Sequence, residues 1–132
     1  MQEFWFYRFP AVLWMLFIYF LSSIPKDKLP DISFPDIHLT AHVIEYGVLG
    51  FLLARSFLNS VGAAKWIFAV VVALIIASLF AASDEYHQTF VAGRNGEVIT
   101  IFLDVLFSIC GISAYLLVIK STTPPKTEKR NA

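Results

Sequence analysis

Four apolar runs, about Phe4 to Ile24, Leu39 to Leu58, Trp66 to Ser83 and Val98 to Ile119, constrain this chain more than anything else in it. An α-helix rises 1.5 Å per residue, so about 20 residues cross the roughly 30 Å of hydrocarbon in a bilayer. Each run is close to that length. Lipid offers no partner to a backbone N–H or C=O, which forces the runs to be helices. Composition agrees: 58% of the 132 residues are hydrophobic and 16% aromatic, with a mean hydropathy of +0.69. A soluble domain this short has too little interior for that much apolar surface. The expected fold is an all-α integral membrane protein, four transmembrane helices in an antiparallel bundle over residues 1–120. A polar, partly interfacial segment lies between helices 3 and 4, and residues 121–132 form a disordered basic cytoplasmic tail.

The connections read as follows. The first run lacks the basic start and short apolar core of a signal peptide, and Trp5, Tyr7, Trp14 and Tyr19 suit membrane anchoring. Pro25, Pro30 and Pro35 interrupt helix in a surface loop. Asn59, Ser60 and Gly62 make a tight hairpin. SDEYHQTFVAGRNGE mixes polar groups with Phe90 and Val91, as a segment at a membrane interface would. With four spans, Arg8, Arg55, Lys65, Lys120, Lys126, Lys129 and Arg130 fall on one side and only Lys26, Lys28 and Arg94 on the other. The positive-inside rule then puts both termini in the cytoplasm. Net charge is zero, so no global field points to nucleic acid. Cys110 is the sole cysteine, which excludes an internal disulfide, and its apolar surroundings predict a core position.

Ionisable groups inside transmembrane segments cost about 2.5 kcal/mol or more near the centre, so each one asks for a function. His42, Glu45 and Tyr46 share one face of the second helix, flanked by Gly47, Gly50 and Ala54, which permit close approach of a neighbour. Ala69, Ala73, Ala77 and Ala81 mark a packed face of the third helix. If that helix continues, Glu85 points into the bundle, Asp84 and His87 lie to either side, and Gln88 sits one turn on. Thr100, Asp104, Ser108 and Gly111 form one face of the fourth helix. Asp104 needs a cation or a proton, and Arg94, the one arginine on that side, is able to fold back and pair with it; Arg94, His42 and His87 are the candidate partners of Glu85. Three distant stretches thus place polar groups at one depth on one side of the bundle.

At these residues the sequence resembles the VanZ-like family of membrane proteins, named for a protein associated with teicoplanin resistance. AHVIEYGVLG, with His42, Tyr46, Leu49 and Gly50, is similar to the family's first motif. SDEYHQTFVAGR is similar to its second, through Asp84, Glu85, Gln88, Phe90, Gly93 and Arg94, and DVLFSICG to its third, through Asp104 and Gly111. Ser108 stands where many members have Asn, and Leu39 where a Lys precedes the family's His, so no role is carried over for those two groups. The likeness spans residues 36–112. It implies a small multi-pass protein of the bacterial cell membrane, linked in some members to antibiotic tolerance.

Several functions fit these residues. A non-enzymatic protein would use His42, Glu45, Tyr46, Asp84, Glu85, His87, Gln88, Arg94 and Asp104 to bind an amphipathic ligand, a lipid-linked envelope precursor or a glycopeptide, among the membrane lipids. The excess of acid favours a neutral or cationic head group over a bare phosphate. A membrane enzyme would use Glu45 and Glu85 as an acid/base pair. His42, Glu45, Glu85 and His87 are ligand types for zinc, yet no His-Glu-x-x-His signature occurs, and no metal or cofactor is expected. An ion pathway and a purely structural cluster are the remaining readings.

Overall fold

A computed structural model describes residues 4–29, 37–61 and 63–122. The expectations for Pro30, Pro35, Gly62 and the tail from residue 123 onward lie outside the described residues. Helix α1 (Phe9–Ser22) follows a π-helical stretch, Phe4–Arg8, and is succeeded by α2 (Ile37–Leu58), α3 (Trp66–Gln88) and α4 (Val98–Thr122). Short 3-10 turns at Lys26–Lys28 and Ala63–Lys65 complete the regular structure, and no strand occurs among the described residues. Four helical stretches, Trp5–Ser22, Leu39–Leu58, Trp66–Gln88 and Val98–Thr122, are long and apolar enough to cross a membrane.

The buried face of α3 is built from small side chains, packed against Ile18, Tyr46, Leu49 and Ile112 of the core, and the exterior of the bundle carries large ones. Ala69, Ala73, Ala77 and Ala81 are all buried along α3, so their four-residue spacing does mark its packed face. Phe68, Leu79, Phe102 and Leu117 are exposed instead. In water such a surface would aggregate, whereas in lipid the large side chains are solvated and the small ones let backbones approach. Cys110 is exposed, contrary to the core position expected of it, because its position on α4 turns outward beside the buried Gly111.

Consecutive helices run antiparallel, as hydrogen bonds at both ends show. Ser22, His42, Asp84 and Asp104 gather at one end, while Arg55 reaches Phe6 and Asn59 reaches Tyr115 at the other. The closest packing, however, joins α2 to α4, which run parallel to each other. Glycine makes this possible. A Cβ at Gly50 would strike the Ser108 backbone carbonyl, and one at Gly111 would strike that of Gly47. Ser108 Oγ donates to the Tyr46 carbonyl oxygen at 3.3 Å along the same seam.

At the opposite end, Pro10 lacks the N–H that would bond the carbonyl four residues earlier. That carbonyl belongs to Phe6, and Arg55 Nη1 donates to it at 3.0 Å. The Arg55 guanidinium also lies over the Phe6 and Tyr7 rings, 4.7 and 5.2 Å from their centroids. One side chain of α2 therefore repairs the start of α1 and fastens it to the bundle.

Candidate functional site

The polar end of the bundle is assembled from the last turns of α1 and α3 and the first turns of α2 and α4. Helix α3 does continue past Ser83, which carries Asp84, Glu85 and Gln88 into buried positions. A turn follows, with Phe90, Val91 and Arg94 donating backbone N–H groups to His87, Gln88 and Val91. Gly93 takes φ +74°, the left-handed region that favours glycine, and its position packs against Lys26. The Lys26 N–H donates to the Ala92 carbonyl at 3.1 Å, which ties the loop after α1 to the loop after α3. Between them opens a cavity of about 280 Å³, walled by Lys26, His42, Glu85, Gln88, Arg94, Glu97 and Thr100 over Leu39 and Leu103.

Two carboxylates of this site are held in different ways. His42 Nδ1 and Asp104 Oδ1 lie 2.9 Å apart, joining α2 to α4, and Asp104 is fully buried. Its other oxygen, Oδ2, is buried without a hydrogen-bond partner among the described residues. Glu85 Oε2 instead accepts the Glu97 backbone N–H at 2.9 Å. This places a carboxylate at the start of α4, where unpaired N–H groups and the helix dipole favour negative charge. Gly96 lets the chain pass so close to α3 that a Cβ there would strike the Glu85 carbonyl. The side chains of His42, Glu85 and Asp104 each bring a donor atom within 4.8 Å of the other two.

Asp84 forms a separate junction. Its Oδ2 accepts from Ser22 Oγ at 3.0 Å, Tyr46 Oη at 3.4 Å and Gln88 Nε2 at 3.2 Å, so one oxygen binds α1, α2 and α3 together. Oδ1 is buried with no partner among the described residues. The Tyr46 ring is fully buried and lies parallel to His42, with centroids 6.0 Å apart. Glu45 is buried but does not wall the cavity; its backbone carbonyl accepts the Trp14 indole N–H at 2.8 Å.

Two expectations from the sequence are corrected here. Arg94 does not pair with Asp104. Its Nε and Nη2 each donate at 3.2 Å, to the carbonyls of Ile24 and Leu21, because the end of α1 presents backbone carbonyls and an arginine fork reaches two at once. His42 takes the place beside Asp104. His87 does not join the cavity either. It faces α1, with Nδ1 3.2 Å from Tyr19 Oη, Nε2 2.9 Å from Ser23 Oγ, and its ring stacked on Tyr19 at 4.2 Å. Both ring nitrogens are occupied there, so His87 is apart from His42, Glu85 and Asp104.

Sequence reasoning did not name Ser22, Lys26, Glu97 and Thr100 among the site residues, although it placed Lys26 on the side of Arg94 and Thr100 on the helix face of Asp104. The signal for Ser22 was present: Ser22 and Ser23 close an apolar run at the depth of His42. Glu97 contributes through its backbone N–H, which no residue type reveals.

Four helices long and apolar enough to cross a membrane, gathered around a polar, partly open end, have the pattern of a small multi-pass membrane protein with the site at one rim of the bundle. Comparison of the chain with protein-family models, with curated proteins and with solved structures finds no match.

Proposed function

We propose that this chain is a VanZ-like protein of the bacterial cell membrane that binds an amphipathic envelope ligand at its polar end, facing the outer leaflet, and contributes to tolerance of teicoplanin-type glycopeptides. One observation carries the reading. The polar cavity is walled by Leu39 and His42 of α2 and by Thr100 and Leu103 of α4. The next turns of the same two helices bear an apolar groove lined by Val43, Gly47, Phe51, Phe107 and Cys110. A polar recess followed by an apolar channel along one seam matches a molecule with a small head and a hydrocarbon chain. The cavity's size favours the head of a lipid; a glycopeptide would rest on the rim with its acyl chain in the groove.

The outward placement is supported by Arg8, Arg55, Lys65 and Lys120 at the opposite end, against Lys26, Lys28 and Arg94 at this one. Tyr86 and Phe90, exposed and packed edge to face at 5.1 Å, suit a headgroup layer beside the cavity. The test is titration of the purified protein with a neutral-headed glycolipid and with teicoplanin. Glu85→Gln and Arg94→Gln are expected to weaken binding while the helix content is kept. Equal binding by wild type and both variants removes the reading.

A second reading, a membrane enzyme acting on a lipid or glycolipid, is favoured by the His42–Asp104 pair next to Glu85. A carboxylate that orients an imidazole beside a second acid is a familiar general acid–base arrangement. Recovery of the bound glycolipid distinguishes the two: a binding protein returns it intact, and an enzyme returns a cleaved product.

A further inference from the structure

Asp104 is fully buried, and its Oδ2 has no hydrogen-bond partner among the described residues. A buried carboxylate with a vacant oxygen is costly unless a cation or proton supplies what is missing. The nearest guanidinium does not: Arg94 is committed to the carbonyls of Leu21 and Ile24. His42 meets Oδ1 alone. Glu85 adds a second buried carboxylate, whose Oε2 accepts the Glu97 N–H.

We propose that His42, Glu85 and Asp104 bind one divalent ion of the zinc class, with the fourth coordination position open to the cavity. One imidazole nitrogen and two carboxylate oxygens, from α2, α3 and α4, already lie within 4.8 Å of one another. Zinc holds nitrogen and oxygen ligands at about 2.0–2.2 Å, which sets tetrahedral donors about 3.4 Å apart, so small side-chain rotations close the trio on the ion. The donor set of one imidazole and two carboxylates suits zinc or manganese better than calcium or copper(I). The ion offsets the charge of Glu85 and Asp104 and occupies the vacant Asp104 oxygen. His42 and Glu85 wall the cavity, so a water or the head of a ligand reaches the open position from there. The site goes beyond the ligand-binding reading and does not depend on it.

The experiment uses the full chain, purified in detergent without a polyhistidine tag, stripped with EDTA and titrated with zinc chloride by calorimetry. One equivalent per chain is expected, confirmed by elemental analysis after dialysis. Glu85→Gln and Asp104→Asn should each weaken binding at least about tenfold, since each removes one of three ligands. Asp27→Asn, an exposed carboxylate at the same end and outside the cavity wall, should leave affinity within about twofold of wild type. Circular dichroism of each variant checks that it folds, and Glu85→Gln suffices if Asp104→Asn does not. The proposal is overturned if stripped wild type takes up no zinc saturably, or if folded Glu85→Gln binds it as wild type does. Glycolipid titration in EDTA reads the other proposal separately, so either can fail alone.

Discussion

His42 Nδ1 and Asp104 Oδ1, 62 residues apart in sequence, meet at 2.9 Å across the parallel α2–α4 seam. The contact depends on Gly50 and Gly111, whose missing side chains let the two backbones touch below it. Removal of either partner strands a buried polar group, at about 1–3 kcal/mol. His42→Ala and Asp104→Asn are each expected to destabilise the protein by that amount in a metal-free detergent solution. The double variant should fall short of the sum by at least about 0.5 kcal/mol, and strict additivity in equilibrium unfolding would contradict the contact.

The glycines of the α2–α4 seam differ sharply in their surroundings. Gly50→Ala and Gly111→Ala place a methyl against backbone, which cannot rotate away, and should each cost about 1–3 kcal/mol. Gly47→Ala meets nothing within 4 Å and should be close to neutral. Thermal unfolding of the three variants checks the ranking.

Asp84 and Asp104 are both buried, yet they do different work. Asp84→Ala removes the acceptor of Ser22, Tyr46 and Gln88 and is expected to cost about 2–3 kcal/mol. The folded fraction should still bind zinc, since Asp84 is outside the trio of donors. Loss of binding in proportion to loss of fold would agree; loss of binding by a fully folded Asp84→Ala would not.

Arg94 acts on α1 through backbone carbonyls, which makes its effect local. Arg94→Gln should raise amide exchange at residues 21–29 and 89–96, where the Lys26–Ala92 and Ile24–Leu21 bonds lie, and leave α4 protected. Exchange measured by mass spectrometry decides this. A uniform rise across all helices would mean that Arg94 supports the whole bundle.

Topology is testable with single cysteines in a Cys110→Ser background. Thr89→Cys, exposed in the turn after α3, should react with a membrane-impermeant maleimide added to intact cells. Lys65→Cys, exposed at the opposite end, should react only after permeabilisation. The reverse pattern would turn the cavity toward the cytosol.

Much of this architecture was legible because lipid simplifies the code. Run length placed the four helices, and the alanine spacing on α3 placed Glu85 inside. The common depth of His42, Asp84, Glu85 and Asp104 followed from their distance to the helix ends. What the sequence could not supply was which polar group faces which. Arg94 looked like the natural partner of Asp104 by charge, but the backbone carbonyls of Leu21 and Ile24 at the end of α1 carry no residue signature and claimed it. His87 and His42 look equivalent as letters. A rotation about the α3 axis sends His87 to Tyr19 and Ser23 on α1, and that rotation is set by packing. The parallel α2–α4 contact was equally hidden, since alternation of direction along the chain says nothing about which pair lies closest.

The alanine stripe of α3 has a mechanical consequence. Alanine has no rotamers to freeze and no knob to lodge between neighbouring side chains, so that face is smooth along its length. A smooth rod can slide, and its axial position must be fixed at a discrete point. The Asp84 oxygen, gripped by Ser22, Tyr46 and Gln88, is a pin of that kind, fixing α3 lengthwise against α1 and α2, while the Glu97 N–H separately holds the Glu85 carboxylate.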